Sequence, residues 1–141
     1  MTERPRFHLA FPVRDLDEAR EFYGSTLGCA EGRSAEDWVD FDLFGHQLVA
    51  HLVAASSRHG GATNEVDGDH VPVPHFGLIL APTEWRELAD RVGESGVAFE
   101  IEPHTRFVGD PGEQSTMFFR DPSGNALEFK AFADENQIFA R

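Results

Sequence analysis

Cysteine is almost missing from this sequence. Cys29 is the only one, so no disulfide can close within the chain, and a reducing cytoplasm is the expected compartment. Long apolar runs are absent as well: no stretch approaches the ~18 consecutive apolar residues of a membrane-spanning helix. Residues 1–13 lack the charged start and long apolar core of a signal peptide. Basic residues are scarce, with 12 Lys and Arg against 25 Asp and Glu, a net charge of −13 and no segregated basic block. Such a surface repels nucleic acid and anionic membrane, so neither is expected as a partner. What is present is apolar bulk. The 141 residues are 40% hydrophobic and include 13 Phe, enough for the core of a single domain over 1–141.

Hydrophobic spacing divides the chain into two similar halves. In Arg6 to Val13 the residues Phe7, Leu9, Phe11 and Val13 fall on one face, and His8, Ala10 and Pro12 on the other, which predicts a strand. Asp15 followed by Glu18 resembles a capping box, and Leu16, Ala19 and Tyr23 or Phe22 recur at helical spacing up to Gly28, so a helix is expected over 16–27. Strands follow at 29–33, 38–44 and 47–53, the last two turning at Phe44-Gly45-His46. This first βαβββ unit spans 6–53. Residues 54–72 have no apolar period and are expected to be a connecting loop.

The pattern then begins again. His75 to Leu80 alternates like the first strand, Trp85, Leu88, Ala89 and Val92 mark an amphipathic helix stopping at Gly93, and strands follow near 98–102, 115–120 and 126–132. Asp121-Pro122-Ser123-Gly124 carries the residues of a type I turn. The second unit therefore spans 73–132, with a tail over 133–141 in which Ile138 and Phe139 follow a polar run. Two such units make an α+β fold, and two sheets that cannot each bury both faces are expected to curl into one open barrel.

Three residues on the polar faces of these strands have side chains that can ligate a metal: His8, His75 and Glu128. The first two open the two units, and Glu128 lies on the last strand opposite Leu127 and Phe129, beside the small Ala126. Separations of 67 and 53 residues carry no local metal-motif signal, so by spacing alone this is one His-His-Glu combination among several, and ordinary strand histidines fit as well.

Phe7-His8 to Leu16, Phe22-Tyr23 to Leu27-Gly28, Pro74-His75 and Phe119-Arg120-Asp121-Pro122-Ser123-Gly124-Asn125-Ala126-Leu127-Glu128 together resemble the vicinal oxygen chelate superfamily. That group includes glyoxalase I, fosfomycin and bleomycin resistance proteins and type I extradiol dioxygenases. The resemblance, over residues 6 to 132, implies paired βαβββ units in an open U-shaped barrel with a divalent metal held by His8, His75 and Glu128. Two His and one carboxylate with open positions suit Fe(II), and Mn(II), Zn(II) or Ni(II) fit the same donors. The style of Trp38 to Gln47 and of Glu128 to Phe132 is similar to that of small predicted dioxygenases, which implies a dioxygenase acting on a small molecule with vicinal oxygens. Extradiol enzymes usually carry Tyr about ten residues before the Glu ligand. Position 118 here is Phe, and the only tyrosine is Tyr23. Glyoxalase-like isomerase, lyase or thiol transferase chemistry is the alternative, and a metal-free binding protein, like those that sequester bleomycin, a third. Members of the superfamily often dimerise, so a homodimer is expected.

Secondary candidates surround this set. His51 stands where glyoxalase-like members carry a fourth ligand, and otherwise is a base beside the ligands or an ordinary strand histidine. His46 has the opposite strand parity, so only one of the two shares a face with His8. His104, Arg106 and Gln114 are expected on a loop over Pro103 to Glu113 and its edge, Arg106 and Gln114 as substrate-binding groups, with Arg33 a weaker candidate. Trp38 is placed at the pocket wall or in the core, and Trp85 in the core. His59 and His70 are assigned nothing.

Overall fold

The computed structural model describes residues 4–54 and 62–141. It divides into two compact units, 1–59 and 60–141. In the first, β1 (His8–Val13) leads into α1 (Leu16–Ala19), which continues as π-helical turns over Arg20–Thr26, and β2 (Ala30–Ser34), β3 (Trp38–Leu43) and β4 (His46–Leu52) follow. The sheet order is β1-β4-β3-β2, with β1 and β4 parallel and the other pairs antiparallel. Asp15 caps the helix by accepting the Glu18 backbone N–H at 2.8 Å, as the capping pattern predicts.

The alternation read from sequence sorts this sheet into two faces. Phe11, Val13, Val39, Phe41, Leu48 and Ala50 are buried against the helix, where Tyr23 is fully enclosed between Phe11, Phe22 and Phe41. Strand register places His8, Ala10, Pro12, Trp38, Asp40, Gln47 and His51 on the opposite face.

The second unit opens with an element the sequence pattern did not reveal. Residues 62–72, expected to lie in a loop, form with Val73 a hairpin of β5 (Ala62–Val66) and β6 (Asp69–Val73), turning at Asp67 and Gly68 with φ of 46° and 84°. Positive φ at both central residues is the twist-matched hairpin turn that Asp-Gly favours. Its outer strand is almost wholly exposed, so no apolar period marked it. The remainder of the expected loop, with His59, lies outside the described residues apart from Ala54.

After the hairpin come β7 (Phe76–Ile79), α2 (Pro82–Glu94), β8 (Phe99–Arg106), β9 (Gln114–Arg120) and β10 (Ala126–Phe132), in the sheet order β7-β10-β9-β8. The first and last strands are again parallel, so the two units share one topology. Trp85 is buried, its indole N–H donating to the Phe129 carbonyl at 2.7 Å, and Phe119 stacks on Phe129 at 5.7 Å. Glu128, Lys130, Phe118, Thr116, Gln114, His104 and Arg106 fall on the face away from that helix core.

Candidate functional site

The Asp121 turn sets the position of Glu128. Asp121 is buried, its Oδ1 accepts the backbone N–H groups of Ser123 and Asn125 at 3.0 and 2.8 Å, and its Oδ2 accepts from Asn125 Nδ2 at 2.8 Å. A turn so pinned fixes where β10 begins and hence which of its residues face the helix. On the neighbouring strand, a Cβ at Gly77 would fall on the Glu128 carbonyl oxygen, so only glycine lets β7 lie this close.

Glu128 is 7% exposed, and its two oxygens have different partners. Oε1 lies 3.1 Å from His75 Nε2; Oε2 accepts a short hydrogen bond from the Thr116 hydroxyl and a longer one from Arg106 Nη1 at 3.5 Å. His75, immediately before β7, has its Nδ1 2.6 Å from the Pro72 carbonyl. A carbonyl oxygen can only accept, so Nδ1 carries the proton and the ring is oriented with Nε2 toward Glu128. The hydrogen bond to Glu128 raises the His75 pKa above its ordinary value, against the opposing effect of burial, and the Pro72 carbonyl adds to the rise. Burial pushes the Glu128 pKa up, but the hydrogen bonds from His75 and Thr116 and the charges of Lys130 and Arg106 outweigh it, leaving the carboxyl below its ordinary value.

Phe118 is fully buried, pairs with Glu128 across the strands and meets the His75 ring edge-on at 4.9 Å, while Arg106 lies over it at 5.5 Å. Position 118 therefore offers Glu128 an apolar ring and no phenol hydroxyl. Tyr23, enclosed in the core of the other unit, is no substitute.

Arg106 corrects an expectation. It is not on a loop: β8 runs through His104 to Arg106, β9 begins at Gln114, and Arg106 pairs with Gln114 in register. Arg106 is 3% exposed, because its Nε donates to Asp69 of the hairpin at 3.2 Å and its Nη1 to Glu128. The same Asp69 oxygen lies 2.8 Å from His104 Nε2. Gln114 is turned to the Gly112 carbonyl at 3.1 Å. Neither Asp69 nor Thr116 was visible as a site residue in the sequence, since a short polar strand and an ordinary strand threonine look the same whatever they bind.

In the first unit His8 Nδ1 lies 2.8 Å from Gln47 Oε1, and Gln47 Nε2 donates to Asp40 at 3.2 Å. As at His75, Nδ1 faces an oxygen that only accepts, which orients the ring. His51 shares the His8 face, paired across strands with Pro12 and Trp38. His46 has the other parity and accepts the Phe7 backbone N–H at Nδ1. The half-buried Trp38 carries Arg33 over its ring at 5.9 Å. A cavity of about 430 Å³ is lined by His8, Arg33, Asp40, Asp42, His46 and Gln47, among others.

His75 and Glu128 suit a divalent cation. Two donors each about 2.1 Å from one ion, at tetrahedral or octahedral angles, lie about 3.0–3.4 Å apart, and the observed separation is 3.1 Å. A histidine whose other nitrogen is bound to a carbonyl is the usual arrangement around such an ion. Among the described residues no group of three or more His, Cys, Asp or Glu gathers as a metal cluster, so within its own unit the pair stands as two donors.

Over residues 7–129 the chain matches the Glyoxalase/Bleomycin resistance protein/Dioxygenase superfamily. It is 36% identical to a glyoxalase/bleomycin resistance protein/dioxygenase of known crystal structure from Alicyclobacillus acidocaldarius, with a TM-score of 0.77 over 95% of this chain and 96% of that one. A glyoxalase/dioxygenase from Nostoc punctiforme (20% identity, TM-score 0.68, 93% of this chain and 92% of that one) has the same fold. So does a lactoylglutathione lyase from Agrobacterium tumefaciens (22% identity, TM-score 0.64, 93% and 96%). The repeated βαβββ topology and a match spanning nearly the whole chain lead to one conclusion: this protein belongs to the glyoxalase/bleomycin resistance/dioxygenase superfamily.

Proposed function

We propose that the chain is a metal-dependent enzyme that chelates a small substrate through two adjacent oxygens, with His75, Glu128 and His8 as the metal donors and dioxygenase chemistry on Fe(II) as the first reading. The observation that carries it is the 3.1 Å approach of His75 Nε2 to Glu128 Oε1, with His75 Nδ1 tied to the Pro72 carbonyl. A bound divalent cation would stabilise negative charge on the two substrate oxygens. The protein's part is preparation. Pro72 fixes the His75 tautomer, Thr116 turns Glu128 so that Oε1 is presented, Gln47 fixes His8, and Phe118 keeps water from one side.

Glyoxalase-type isomerase or lyase chemistry is the second reading, favoured by two observations. His51 lies on the His8 face, available as a further donor or base, and the residue paired with Glu128 across the strands is Phe118 and not a tyrosine. Mn(II), Zn(II) or Ni(II) would serve there. An oxygen electrode separates the two: Fe(II)-reconstituted protein that consumes oxygen with catechols, and stops in His75→Ala, supports the dioxygenase. Metal uptake with no oxygen consumed over a panel of catechols supports the second.

A further inference from the structure

We propose that Arg106 recognises an anionic group on the substrate, and that Asp69 of the hairpin occupies its guanidinium when no ligand is bound. The inference rests on the metal-chelate reading and extends it to substrate class: a compound with two adjacent oxygens and, beyond them, a carboxylate or comparable oxyanion.

Arginine carries five N–H donors. Nearly all of Arg106 is buried, yet only Nε and Nη1 are engaged, the latter at the long distance of 3.5 Å, and among the described residues Nη2 has no partner. A buried donor without an acceptor is unfavourable, and a charged one more so, so the geometry calls for another oxygen. Position says whose oxygen. The guanidinium already contacts the carboxylate proposed to hold the metal, so an anion bound at Nη2 sits one side chain away from oxygens chelated at Glu128. Planar guanidinium is also the side chain best matched to a carboxylate.

Asp69 marks the same preference from within the chain. One of its oxygens takes both Arg106 Nε at 3.2 Å and His104 Nε2 at 2.8 Å. The hairpin beside it is held over this site by polar contacts, including Asp67 to the Phe107 backbone N–H at 3.1 Å. A substrate carboxylate that takes Nε and Nη2 together replaces Asp69 at the first and supplies the acceptor missing at the second.

Calorimetry on the Mn(II)-loaded chain tests this with catechol and 3,4-dihydroxybenzoate, which present the same two hydroxyls and differ by one carboxylate. The wild type is expected to prefer the carboxylate by about tenfold or more, the scale of one charge-assisted hydrogen bond. Arg106→Met should bring the ratio of the two dissociation constants to about one, and Asp69→Asn, which removes the competing charge, should raise it above wild type. The opposite signs separate recognition from a structural ion pair, and Asp69→Asn decides alone if Arg106→Met does not fold. No preference in the wild type, or an Asp69→Asn ratio at or below the wild-type value, would overturn the inference while leaving the metal reading intact. Failure of catechol itself to bind the Mn(II)-loaded chain would overturn both.

Discussion

Thr116 shows how much of the candidate site rests on single atoms. It is fully buried, and its hydroxyl donates to Glu128 Oε2, leaving Oε1 toward His75. Thr116→Val keeps the shape and removes the donor, and metal affinity is expected to fall about 10–100-fold, as for other partners of metal ligands; a competition titration against a chelator reads the change. The His75 and Glu128 shifts also predict how the metal-free chain responds to pH. The His75 pKa is raised, so its contribution to stability is full below the unfolded value near pH ~6.5 and is lost as pH rises through the folded value. The Glu128 pKa is lowered, so its contribution is present above the unfolded value near pH ~4.3 and is lost as pH falls through the folded value. The pair therefore stabilises most between about pH 4.3 and 6.5. The Tm difference between wild type and His75→Gln should peak in that window, and a difference that is flat with pH contradicts the pairing. His75 and Glu128 were legible as candidates because alternation sets them on polar faces. Thr116 and Asp69 were not, because what they bind comes from 12 and 37 residues away in the chain.

Most elements that bury one face were read well, and the wholly exposed β2 was also placed, but the exposed outer strand of the hairpin was not. The strands and helices packed on Tyr23 and Trp85 all carry the apolar period that predicted them. The β5–β6 hairpin buries little of its outer strand, and only its Asp67-Gly68 dipeptide betrays it. Arg106 was misplaced for a related reason: Gly109, Asp110, Pro111 and Gly112 do form the β8–β9 turn, but the strands reach closer to it on both sides than polar residues suggest. Two substitutions test how these elements hold Glu128. Gly77→Ala puts a methyl against the Glu128 backbone and is expected to cost about 1–3 kcal/mol or more. Asp121→Ala removes three acceptor contacts within the turn before β10 and is expected to cost about 1–3 kcal/mol. Denaturant titration measures both. A neutral Gly77→Ala would contradict the close approach of β7 and β10.

At the scale of the whole chain, two units of one topology place a histidine at the opening of each: His8 begins β1 and His75 immediately precedes β7. That repeat, visible in the order of strand and helix patterns, made the paired fold legible, and Phe22-Tyr23 with the Asp121 to Asn125 turn before Glu128 made the family so. Among the described residues no helix is long and apolar enough to cross a membrane. The homodimer is carried forward as a proposal, with light scattering at twice the 15.7 kDa chain mass the expected result. The central claim is that His8, His75 and Glu128 bind one divalent metal. Metal analysis of the protein after reconstitution and desalting, with His8→Ala, His75→Ala and Glu128→Ala in parallel, addresses it most directly. The account predicts near one equivalent per wild-type chain and its loss in each variant; a wild type that retains no metal, or variants that retain it fully, would contradict it.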